Sequence, residues 1–103
     1  MQTTWAEVDE RLEKIHHYLS KKPPHWYEAK ALRDVVFNAD LPGGGFKRKP
    51  EGQPHPAVDP DMEALHGHLA DLKAALIQKD EKSAVDVLAE ARKVVDKLRK
   101  RQG

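Results

Sequence analysis

Trp5, Val8, Leu12, Ile15 and Leu19 follow one another at intervals of three and four, with charged residues filling most of the positions between them. A chain written this way keeps its apolar groups together only on one side of an amphipathic helix, because a strand would scatter them over both faces. Thr4, followed three residues later by Glu7, reads as a capping box at the start of that helix. Lys21 and Lys22 suit its C-terminus, and Pro23-Pro24 stop it.

The same spacing returns three more times. Trp26, Ala29, Leu32, Val36 and Ala39 form a second stripe, widened by Val35. The double proline is expected to open this helix, and Asn38, Asp40 and Pro42-Gly43-Gly44-Gly45 to close it. Asp59-Pro60 starts a third helix with Met62, Leu65, Leu69, Leu72 and Leu76 along its stripe. After the polar turn Lys79-Asp80-Glu81-Lys82, with Asp80 as cap, a fourth helix carries Ala84, Leu88, Ala91, Val95 and Leu98, flanked by Val85, Val87 and Val94. It ends in Arg99-Lys100-Arg101, at the negative end of its dipole.

The sequence therefore predicts an all-α chain with helices near 4–21, 24–40, 60–79 and 81–100. Short turns make two antiparallel hairpins, and one four-helix bundle is the economical way to bury all four stripes. With 103 residues there is room for a single domain over 1–103. Charged residues make up 34% of the chain, so the core has to be thin, and hairpins that complete it by dimerising are the rival arrangement. Between the hairpins, 41–59 holds four prolines, four glycines and Lys47-Arg48-Lys49, with almost no periodicity. Connections that long in compact domains tend to be functional or disordered.

Several chemistries are absent from the pattern. No cysteine is present, which removes disulfides, thiol catalysis and Cys-ligated metals. There is no Gly-x-Ser-x-Gly elbow, Walker loop or Gly-x-Gly-x-x-Gly. Gly43-Gly44-Gly45-Phe46-Lys47 lacks the preceding strand and following helix that a phosphate cradle needs. No apolar run approaches the ~20 residues of a membrane span, and no basic-then-apolar leader is seen at Met1 to Glu7, so a cytoplasmic address is expected.

Six histidines are a mild excess. Glu13-x-x-His16 and Glu63-x-x-His66 each place a carboxylate and an imidazole on one helix face, as di-iron bundles require. The stripes put all four of these side chains off the core-facing positions, so Glu13, His16, Glu63 and His66 are candidates for a transition-metal site only between helices or chains. Lys47, Arg48 and Lys49, with Arg92, Lys93, Lys97, Arg99, Lys100 and Arg101, could meet phosphates. The formal net charge of +1, however, gives little steering toward nucleic acid.

Aromatic anchors are the sharper signal. Trp26 and Tyr27 at the head of the second helix, with Phe46 and the adjoining Lys47, Arg48 and Lys49, would form a partner-binding patch if exposed. The expectation is a non-enzymatic module acting through protein contacts or self-association, with no cofactor. A metal-binding bundle and a nucleic-acid-binding protein are the alternatives.

Overall fold

A helix forms where its end groups are satisfied and its stripe finds cover, and in the first helix both conditions are met. The computed structural model describes residues 3–39, 41 and 60–102, in which α1 spans Trp5–Leu19. Thr4 accepts from the Glu7 backbone N–H, and the Thr4 N–H donates back to the Glu7 carboxylate, each at 3.2 Å. All five stripe residues, Trp5, Val8, Leu12, Ile15 and Leu19, are buried. Each large aliphatic among them contributes about 1.5–3 kcal/mol by leaving water.

α1 stops two residues short of the expected 21. Ser20 caps it, its hydroxyl donating to the His16 carbonyl at 2.8 Å. The turn is fastened by the His25 N–H, which donates to the Tyr18 carbonyl at 3.0 Å, and by the His25 ring stacked on Tyr18. α2 runs only from Trp26 to Phe37, against the expected 24–40. The two prolines lie in the turn and do not open the helix; His25 takes the cap position, with the Lys22–Pro23 peptide cis. Asn38 ends it by bonding the Asp34 carbonyl from both its backbone and its side-chain amide, each at 3.0 Å.

α3 spans Pro60–Gln78 and α4 spans Glu81–Gln102. Lys79 adopts a left-handed backbone at φ 56°. Its N–H donates to the Leu76 carbonyl at 3.2 Å, and the next N–H, of Asp80, to the Ala75 carbonyl at 2.9 Å. This is a Schellman closure with lysine where glycine is usual. Asp80 then caps α4 as expected, accepting from the Ser83 N–H at 3.2 Å and the Ser83 hydroxyl at 2.8 Å.

The four helices form a four-helix bundle in which each helix packs beside two others, α1 with α2 and α4, and α3 with α2 and α4. Long-range pairs fix the directions. Asp9 near the start of α1 meets Arg92 and Arg99 late in α4, and Asp61 at the start of α3 meets Arg101. Arg33 and Phe37 of α2 meet Leu69 and His66 of α3. Every neighbouring pair is antiparallel, and the bundle closes within one chain.

Two expectations for α2 are corrected. Val35, expected to widen the buried stripe, is 49% exposed, whereas Arg33 is only 5% exposed, so an inward ionisable residue is present where none was anticipated. Leu32 is only half-buried. Leu41, expected to begin the surface connection, is fully buried in the core. Residues 42–59, their expected looseness and the Asp59 cap lie outside the described residues.

Candidate functional site

The outer surface of a bundle is written by the residues opposite each stripe, and here the four helices differ. On α1 the exposed positions include Glu7, Glu10, Glu13, Lys14 and His17. On α4 they include Lys82, Asp86, Glu90, Lys93 and Lys97. These are ordinary solvated faces.

α2 and α3 are built otherwise. Tyr27, Ala31 and Val35 recur every four residues on α2, all exposed. On α3 the exposed positions Gly67, Ala70, Ala74 and Ile77 recur at three, four and three. Both sets lie opposite the buried stripes and are themselves uncharged, with the exposed Glu63 at the head of the α3 row and Asp71 and Lys73 beside it. Tyr27 at 82%, Ile77 at 59% and Val35 at 49% are the large hydrophobic side chains exposed among the described residues. Tyr27 and Ile77 line one open groove of about 550 Å³ between the two helices, shared with the half-buried Trp26 and with Leu76. A Cβ placed on Gly67 would meet nothing within 4 Å, so no contact inside the described bundle requires glycine there.

Beneath this face sits Arg33. Its guanidinium donates to the Leu69 carbonyl at 3.4 Å, pairs with Asp34 and lies 4.8 Å from the centre of the Phe37 ring. His66 covers the same ring from α3 at 5.2 Å between centroids. The Arg33 Nε–H has no hydrogen-bond acceptor among the described residues, and neither has the buried Trp5 indole N–H. Such an orphan costs roughly 1–3 kcal/mol. Burial pushes the Asp34 carboxyl up, but hydrogen bonds and charge from Lys30 and Arg33 outweigh it and hold the group below its ordinary value of 3.8. The Asp80 carboxyl is also lowered, chiefly by the Ser83 hydroxyl.

The residues anticipated from sequence are distributed as follows. Tyr27 is on the groove wall and Trp26 beside it, half covered by the core. Phe46, Lys47, Arg48 and Lys49 lie outside the described residues. Glu13, His16 and Glu63 are exposed, and His66 is half-buried against Phe37. Among the described residues no three His, Cys, Asp or Glu side chains come together as metal ligands would. Of the C-terminal bases, Arg92 and Arg99 pair with Asp9, Lys93 with Glu90, Lys100 with Asp96 and Arg101 with Asp61. No helix among the described residues is long and apolar enough to cross a membrane.

Sequence reasoning missed Arg33 and the small-residue face of α3. Positions 26, 29, 33 and 36 have the same three-four-three spacing that 26, 29, 32 and 36 approximate, so the register did point to Arg33. Set against protein-family models, curated proteins and solved structures, the chain has no match in any of the three.

Proposed function

We propose that this chain is a non-enzymatic helical module that binds a protein partner through the outer faces of α2 and α3. One observation carries the reading: the large exposed apolar side chains lie on this pair of helices, in rows with small uncharged residues, while α1 and α4 turn charge to solvent. An apolar face of this kind, rimmed by polar residues, marks an interaction surface on a soluble protein. Tyr27 has the character of an anchor, a large rigid side chain with a polar tip.

The alternatives draw less support from the same residues. A transition metal held by Glu13, His16, Glu63 and His66 would need ligands from a second molecule. Most of the C-terminal cations spend their charge on carboxylates of the chain itself, which weakens their attraction for a phosphate backbone.

The test is a photo-crosslinking amino acid placed at Tyr27 and, separately, at Lys14 on the outer face of α1, in cells that make the protein. A discrete adduct from position 27 and none from 14 is the expected result. Equal labelling from both positions, or none from 27, overturns the reading.

A further inference from the structure

Resting on that reading, we infer that the partner on the α2/α3 face is a second copy of this chain, set so that α2 of each copy lies on α3 of the other. Three observations lead to this occupant.

The first is the match of levels. Within one chain Tyr27 stands level with Ile77 in the shared groove, Arg33 with Leu69, and Phe37 with His66. A twofold axis running along the helices in the plane of the face preserves these levels while exchanging the helices. Val35 of the second copy then comes over Gly67, where open space is available. Ala31 of the second copy falls between Ala70 and Ala74, and Tyr27 of the second copy lies on Ile77. Val35 meets the open space at Gly67 and Ala31 meets two alanines, which lets the two helix faces seat closely there, while Tyr27 and Ile77 make an apolar contact between two projecting side chains.

The second is charge. Around the face stand Glu28, Lys30, Asp34, Glu63, Asp71 and Lys73, acids and bases together, with Glu28 already paired to His25 and Asp34 to Lys30. With four acids to two bases, the rim does not recruit an anionic lipid surface or nucleic acid, and its internal pairs leave only a small, salt-screened repulsion between copies.

The third is area. α2 and α3 have 12 and 19 residues, or about 18 and 28 Å at 1.5 Å per residue, and two helices side by side are about 20 Å across. The footprint is about 400–500 Å² on each copy, near the lower bound for a specific complex. A reversible dimer with a dissociation constant in the micromolar range or weaker follows, not an obligate one. This agrees with a bundle that already closes its core within a single chain.

Sedimentation equilibrium on the full chain over micromolar to millimolar concentration tests it, with three exposed-residue variants checked for helicity by circular dichroism. The wild type is expected to pass from monomer to dimer. Ala74→Glu and Val35→Glu, which bury a charge in the contact, are each expected to weaken association about tenfold or more. Ala89→Glu, the same change on the outer face of α4, is expected to leave it unaltered. A wild type that stays monomeric up to about 1 mM overturns the second copy as occupant. It leaves the partner-binding face to be judged by crosslinking. A dimer that is indifferent to Ala74→Glu and Val35→Glu forms through another surface, which overturns the α2-on-α3 arrangement and leaves the partner-binding face to the same crosslinking.

Discussion

The α1/α4 side of the bundle and the α2/α3 side are made from the same kind of stripe but finished differently. α1 has a reciprocal cap, five buried stripe residues and a carboxylate, Asp9, shared between Arg92 and Arg99 of α4. α2 has no side-chain cap, a half-buried Leu32 and an arginine in the row where a leucine is expected. Outside, the first side turns charge to solvent along its length, whereas the second carries an uncharged strip with its charges at the rim. One side looks complete in itself, whereas the other has inner and outer positions that the bundle alone leaves partly unused. The lesson is that amphipathic quality, read helix by helix, separates elements that only fold from elements with surface to spare.

The largest effect that tests this contrast is a core truncation on each side. Leu12→Ala is expected to lower unfolding stability by about 2–5 kcal/mol in urea titrations. Leu32→Ala, on a side chain still partly in water, is expected to cost roughly half as much. Equal losses would break the distinction between the two sides.

Next in size is Arg33→Met. The guanidinium is desolvated and one of its N–H groups has no acceptor among the described residues, whereas Asp34 keeps Lys30 as a partner. Thermal unfolding is expected to show a gain of about 1 kcal/mol, since an apolar side chain of similar length fits such a place at less desolvation cost. A clear loss instead would mean that the bond to Leu69 and the contact with Phe37 are what hold α2 on α3.

Gly67→Ala comes third. With nothing near the added methyl group, the gain in helix propensity is roughly 1 kcal/mol. It should be measured by denaturation at low protein concentration, where any dimer is dissociated. Failure to gain would mean that the α3 backbone is already constrained at that point.

The smallest effect is on acid stability. Asp34 and Asp80 bind protons less readily in the folded chain than in the unfolded one. The unfolded state therefore takes up more protons in acid, and the stability these groups contribute is complete above their ordinary value of 3.8. It is lost as pH falls below that value through the folded ones. Asp34→Asn is expected to flatten the stability profile below about pH 4, and an unchanged slope would remove Asp34 as a source.

How much of this was legible in the sequence follows from how strongly each residue type commits to an environment. α1 could be read almost to its ends, because leucine and isoleucine alternate there with glutamate and lysine, which have opposite preferences for water. α3 and α4 were nearly as plain, and the Asp80 cap was readable since few residue types do that task. Arg33 was obscured because Leu32 stands beside it, and the cost of burying a guanidinium favours the leucine. It is buried because Asp34, Phe37 and the Leu69 carbonyl together receive it, and only the last of these depends on tertiary structure. Tyr27 could be singled out as a large aromatic at a helix head. Its companion Ile77 could not, since it adjoins Leu76 in an apolar run, and alanine and glycine on an outer face leave no signature because alanine suits a helix anywhere.

The joint between α3 and α4 sets a rule for what lengths this chain tolerates. Asp80 belongs to both the closure of α3 and the opening of α4, so the two helices are coupled in phase with no slack residue between them. One residue added after Lys79 would separate the two roles, since the Asp80 N–H could no longer bond the Ala75 carbonyl while its carboxylate capped α4. A different turn would then have to form before Leu88 and Val95 could return to the core. Evolution along this chain is thus free to substitute at the joint but not to count differently there.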